Sequence, residues 1–140
     1  MSPNRVFDRS FNIIRQDTSL MNRYGNSVKA YGRDHGSHRE GRRNFIEHTN
    51  YKDEQDGSDR TRVRYNLEGP HGAAFVFAEV SSAMPSGEFV YILVQDKATG
   101  RVQTVVDNRA ALTAARLSAG NAQAASAMSQ LLSGGGNSGK

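Results

Sequence analysis

The sequence predicts an α+β fold: a mostly antiparallel β-sheet of about six strands or more, with two N-terminal α-helices packed on one face. Three observations predict it. Apolar residues recur at helical spacing over positions 4–24, short alternating or apolar runs parted by turn residues fill positions 28–108, and no aromatic residue follows Asn108. The expected organisation is one domain over 1–117, with helices in 4–24 and the sheet in 28–108, followed by a flexible Ala/Ser/Gly-rich tail over 118–140.

The elements follow in order. Pro3 suits the first turn of a helix, and Val6, Phe7, Phe11 and Ile14 form one apolar stripe with Arg5, Asp8, Arg9, Asn12 and Arg15 between them. Asp17 or Thr18 caps a second short helix that carries Leu20, Met21 and Tyr24 and stops at Gly25. Val28–Tyr31 and Phe45–Tyr51 read as strands, the second ended by the polar run from Lys52 to Asp59. Thr61–Glu68 alternates, with Val63, Tyr65 and Leu67 on one face and Arg62, Arg64 and Asn66 on the other, so it is half-buried with a basic outer face. Gly69-Pro70-His71-Gly72 fits a type I turn. Ala73–Val80 and Phe89–Gln95 are apolar on both faces and are expected to be central strands, with Phe77 and Tyr91 in the core. Lys97–Gly100 is a hairpin loop, and Arg101–Asp107 returns. The short connections argue for an antiparallel meander. Arg109–Leu117 has the composition of one or two helical turns.

The chain has 140 residues, 36% hydrophobic and 23% charged, with a mean hydropathy of -0.65. Nine of its 15 alanines follow Asn108, which leaves enough apolar residues before that point for one modest core. No stretch approaches the roughly 18 uninterrupted apolar residues of a membrane span, and the N-terminus lacks the apolar core of a secretory signal. Cysteine is absent, which excludes disulfides, thiolate nucleophiles and Cys-based zinc sites. The net charge of +4 is unevenly spread: +4 over residues 1–50, -3 over 51–100 and +3 over 101–140. Such a bias points to an acidic partner: nucleic acid, anionic lipid or an acidic protein segment.

The residues offer little chemistry. No serine sits in a nucleophile elbow and no carboxylate pair flanks a cleft, so no catalytic residue and no enzyme activity is expected. His35 and His38, with Asp34 and Glu40 beside them, lack further ligands at metal-binding spacing, so neither metal nor cofactor is expected. Gly134–Lys140 matches the phosphate-loop pattern, but no strand leads into it and no Ser/Thr and helix follow; it reads as a Gly/Ser tail. The basic residues Lys29, Arg33, Arg39, Arg42 and Arg43, joined by Arg62 and Arg64 on the third strand's outer face, form the one candidate site, a partner-binding basic surface. No RNA- or DNA-binding motif accompanies them, so the expected partner is protein and not nucleic acid.

The same residues carry a family resemblance. Ser27-Val28-Lys29-Ala30-Tyr31-Gly32, Gly41-Arg42-Arg43, the run from Val63 to Gly72, Phe75–Val80, Phe89–Val94 and Val106-Asp107-Asn108-Arg109 stand in one order. Over about residues 5–109 this resembles the intermembrane-space domain of the Tim21 family, accessory subunits of the mitochondrial inner-membrane presequence translocase. The resemblance implies an α+β domain facing the intermembrane space, held at the inner membrane by a span upstream of this chain. It implies a role without catalysis: tethering the translocase to an acidic segment of the outer-membrane translocase's receptor and associating with respiratory-chain complexes during protein import. An alternative is a resident structural subunit or assembly factor of a respiratory complex, since a related domain occurs in a cytochrome oxidase assembly factor. The Ala/Ser/Gly tail has no counterpart in that pattern.

The tail has no aromatic residue to bury and several glycines to break a helix. Truncation after Ser118 should therefore change the melting temperature by no more than a few degrees, as expected for a loss below roughly 0.5 kcal/mol. Differential scanning calorimetry of the two forms checks this, and a collapse of the transition would show that Leu131 and Leu132 hold the fold.

Overall fold

The computed structural model describes residues 2–32 and 46–114. Its first helix starts where the sequence supplies a cap: the Ser2 hydroxyl accepts the Arg5 amide, and Pro3 occupies a first-turn position where no amide is needed. This helix, α1 (Pro3–Arg15), buries Val6, Ser10 and Ile14, each one turn from the next. Phe7 and Phe11 pack half-buried alongside. The Asp17 carboxylate accepts the Leu20 amide at 3.0 Å and opens α2 (Thr18–Tyr24), which buries Leu20 and Tyr24. Gly25, at a φ of 98°, ends α2 with its amide on the Met21 carbonyl.

Six antiparallel strands follow: β1 (Lys29–Tyr31), β2 (Glu47–Lys52), β3 (Asp59–Gly69), β4 (Gly72–Ser81), β5 (Tyr91–Asp96) and β6 (Val102–Asp107). From β2 to β6 they form the expected meander. β1 departs from it. Ala30 stands opposite Leu67 and His48 opposite Val63, so β1 and β2 lie end to end along one edge of β3. The connection between them is too long for a hairpin turn, which frees β1 from pairing with β2. At the other edge the ladder slips: Ile92 faces Val106 but Leu93 faces Thr104, leaving Val105 as an extra residue in β6, a β-bulge.

The helices cover one face. On it Val63, Tyr65, Leu67, Ala74, Val76, Ala78, Ile92 and Val94 are all buried, and α1 lies across β3 and β4. The Tyr65 ring meets Phe7 edge-on at 4.6 Å between centroids, and its oxygen lies 2.7 Å from the Ser10 hydroxyl. Ser10 donates to the Phe7 carbonyl, so Tyr65 is the donor to Ser10, and burial keeps its phenol protonated. α2 is pinned at both ends of Tyr24. Its carbonyl accepts the His71 amide in the β3–β4 turn, and its hydroxyl donates to Asp96 at 2.9 Å. A Cβ at Gly69 would come within 2.0 Å of that Tyr24 carbonyl, which is why glycine ends β3.

Phe77 and Tyr91 are not in this core. Both are half-buried on the opposite face, because the two-residue period sends Phe75, Phe77, Glu79, Tyr91 and Leu93 away from the helices. Among the described residues up to Asn108 no helix lies on that second face, and among the described residues no helix is long and apolar enough to cross a membrane. Residues up to Asn108 form one compact unit, and a second begins at Arg109, of which 109–114 are helical. The expected tail and the Gly134–Lys140 pattern lie outside the described residues.

The two faces should answer differently to truncation. Leu67→Ala, in the covered face, should cost about 2–5 kcal/mol. Phe77→Ala, with one side already wet, should cost less than half of that. Urea titrations of both variants decide the point, and equal losses would mean that the second face is covered as well.

Candidate functional site

The open face is built around a carboxylate. Register places Glu79 opposite both Arg62 on β3 and Tyr91 on β5, while Tyr51 of β2 stands opposite Arg60, two residues along β3, and reaches across to Glu79. Its side chain is 2% exposed and accepts four bonds: from Arg60 at 2.8 Å, Tyr51 at 2.9 Å, and Arg62 and Tyr91 at 3.1 Å each. Burial alone would raise the Glu79 pKa, but hydrogen bonds from Arg60, Tyr51, Arg62 and Tyr91 outweigh it and hold the carboxyl below its ordinary range. The Tyr91 phenol is pushed up to about 12, by burial first and then by the Glu79 charge, and Tyr51 rises for the same reasons. Both phenols stay protonated and donate. Arg60 turns its other edge to Asp56 at 3.0 Å, so it is consumed within the fold.

Beside this knot lies a band of exposed cations. The Arg62 side chain remains 45% exposed and lies over the Tyr51 ring, 5.4 Å from its centroid. Arg64, 41% exposed, pairs with Glu47 at 3.1 Å and lies 4.3 Å from the Phe75 centroid. Lys97 reaches the same ring at 4.6 Å and donates to Asn66 at 2.8 Å. Asn66 in turn donates to the Gly32 carbonyl at the end of β1. A cleft of about 210 Å³ opens between Arg62 and Arg64, lined also by Glu47, Thr49 and Phe77. A larger cavity of about 370 Å³, near Asp59, Thr61, Ser82 and Met84, has no cation in its wall.

The structure thus brings together part of the expected basic surface. Arg62 and Arg64 share the open face, each already paired with a carboxylate, so the outer face of β3 is not the free basic strip its sequence implies. Lys29 is exposed on β1, on that same face, opposite Glu68 and about 13 Å along β3 from Arg64. Arg33, Arg39, Arg42 and Arg43, with His35 and His38, lie outside the described residues. Their segment leaves the sheet at Gly32 and rejoins it at Ile46, and the register puts both stems against β3, beside Asn66 and Arg64. Sequence reasoning missed Lys97, Phe75 and the Arg60–Glu79 pair. A lone glutamate inside the apolar run Ala73–Val80 is a legible demand for a buried cation. Lys97 gives no such signal, since a lysine in a hairpin loop is ordinary.

Among the described residues of this face no nucleophile stands beside a base. Among the described residues no three His, Asp or Glu side chains converge on a metal position. Tyr51 and Phe75 stand beside the site arginines, where stacking platforms for single-stranded nucleic acid would be sought. Both rings already carry a guanidinium, and Phe75 an ammonium as well.

Fold and surface together define an α+β domain with helices on one face of its sheet and a charged, ring-backed open face on the other. A family model described as TIM21 matches residues 1–109, and the chain belongs to that family. It is 32% identical over 112 residues to the mitochondrial import inner membrane translocase subunit Tim21 of Bos taurus, and 33% identical over 113 residues to that of Homo sapiens. Each alignment covers 77% of this chain and 44% of the relative, so the chain spans less than half the length of these curated relatives. The structure of the intermembrane-space domain of the mitochondrial import protein Tim21 from S. cerevisiae superposes with a TM-score of 0.60 at 17% identity, covering 76% of this chain and 94% of that one. That likeness bears out the fold class. The expected location, the mitochondrial inner membrane with the domain facing the intermembrane space, agrees with these names.

Glu79 gives a test of the site's frame. Its folded pKa is depressed below the ordinary 4.5, so its ionised pairing stabilises the fold above that value and is lost as pH falls through the folded pKa. Glu79→Gln should cost about 1–3 kcal/mol at neutral pH, because it weakens the charge-assisted bonds from Arg60 and Arg62 while Arg60 keeps Asp56. The gap between variant and wild type should narrow below pH 4.5. Denaturant titrations at neutral and acid pH check both the loss and its pH trend.

Proposed function

We propose that this domain is a non-catalytic accessory part of the mitochondrial presequence translocase of the inner membrane, where it offers a basic surface to an acidic segment of the outer-membrane translocase's receptor. Attachment through a span outside these 140 residues and association with respiratory-chain complexes during import belong to the same reading. The observation that carries it is the convergence of Arg62, Arg64 and Lys97 on one uncovered sheet face, beside the stems of the segment that holds Arg33, Arg39, Arg42 and Arg43. Family membership supports it.

Magnitudes set the character of the contact. Exposed ion pairs contribute roughly 0.2–1 kcal/mol each and are screened over about 10 Å at 0.1 M salt. A micromolar complex needs about 8 kcal/mol, so charge alone falls short of it and gives chiefly speed and selectivity. Arg64 must also leave Glu47, an exchange of one exposed pair for another that costs little.

A second reading, a resident structural subunit or assembly factor of a respiratory complex, is favoured by the apolar share of the same face. Phe75, Phe77 and Leu93 are half-buried there and Val102 is 56% exposed. A permanent interface would rest on those residues and ignore salt.

Arg42→Glu combined with Arg43→Glu should weaken binding of an acidic peptide at least tenfold with little loss of stability, while Glu47→Gln, which releases Arg64, should tighten it. Wild-type affinity should fall steeply between about 50 and about 300 mM salt. Calorimetric titration reads all three, and affinity indifferent to both salt and charge reversal would favour the resident-subunit reading.

A further inference from the structure

The cleft between Arg62 and Arg64 has a composition that pure charge recognition does not need. Phe77 gives its floor an apolar part beside Arg62, Arg64 and the Glu47 carboxylate, and at about 210 Å³ it has room for one aliphatic side chain. The two arginines are two residues apart on one strand face, about 7 Å apart at the backbone, with side chains 45% and 41% exposed, and both line the opening. Phe77 sits opposite Arg64 in register and Leu93 opposite Phe77, which makes the floor continuous with the apolar row of β5. An acidic segment that carried only carboxylates would leave this floor wet.

We infer that the partner's acidic segment carries an aliphatic side chain set between two carboxylates, and that this side chain enters the Arg62–Arg64 cleft over Phe77 while the carboxylates take the guanidiniums. The inference rests on the reading that an acidic segment docks on this face. The charge of the rim selects the acidic flanks and the ring selects the apolar centre, so the site reads a pattern and not a net charge. Arg62 can turn toward a partner without stranding Glu79, which keeps the bonds from Arg60, Tyr51 and Tyr91. Arg64 gives up only the exposed Glu47.

Two synthetic peptides of equal length and charge test this, one with leucine between two glutamates (Glu-x-Leu-x-Glu) and one with serine in its place. By calorimetry at low salt the leucine peptide should bind the wild-type chain about tenfold more tightly or better, as expected for burial of one aliphatic side chain. Thr49→Phe, an exposed position on the cleft wall, should fill the space and erase that preference, so that the two peptides bind the variant equally. Equal binding of the two peptides to the wild type, or a leucine preference that survives Thr49→Phe, would overturn the anchor and leave charge-based docking standing. Binding of neither peptide would overturn the docking reading itself and the anchor with it.

Discussion

The open half of this molecule depends on keeping one carboxylate charged where water barely reaches it. Burying an ionised group costs several kcal/mol unless its lone pairs are filled. Glu79 fills them from three different strands: Tyr51 on β2, Arg60 and Arg62 on β3, and Tyr91 on β5. Tyr51, Arg60 and Tyr91 are thereby fixed, and so is what is built on them. The Tyr51 ring is held where Arg62 can lie over it, and β2 is tied across β3 to the sheet's centre. Without that demand, β2 would be a short edge strand with little to bury, since all its residues but Tyr51 are exposed.

How far the sequence revealed this depends on which periodicity carried the signal. Pro3 and the apolar stripe of the first helix, and the cap at Asp17 and the stop at Gly25 of the second, act locally, so both helices were legible to within a residue or two. β3 alternates without exception from Val63 to Leu67, and its buried face was legible for the same reason. β4 and β5 were misread in one respect. A strand apolar on both faces tells nothing about which face the helices will cover, so Phe77 and Tyr91 were assigned to a core that formed on the other side. The tandem placement of β1 and β2 on β3 was invisible because strand pairing is long-range and no turn chemistry marks it.

The candidate site shows the same division. Arg62 and Arg64 were recognisable as outward-facing cations, yet their partners Glu79 and Glu47 come from other strands and appear only with the register. Lys97 lies 33 residues from Arg64 in sequence and shares a ring with it through the β3–β4–β5 pairing. Such pre-paired cations change what the surface recognises. A stray anion must displace a carboxylate already in place, so a single free charge gains little, whereas a segment presenting several groups at once gains from each exchange. On the proposed reading, selectivity among acidic molecules follows from that competition more than from the domain's net charge of +4.

The extra residue in β6 has a consequence beyond local twist. One border of the sheet is occupied by β1 and β2 in tandem, and the other is β6, whose outward amides and carbonyls fall out of step at Val105. A straight strand from a neighbouring copy can match those groups on one side of Val105 or the other, never along the whole length. Among the described residues, β6 thus offers a neighbouring strand no unbroken border along which a second sheet could add.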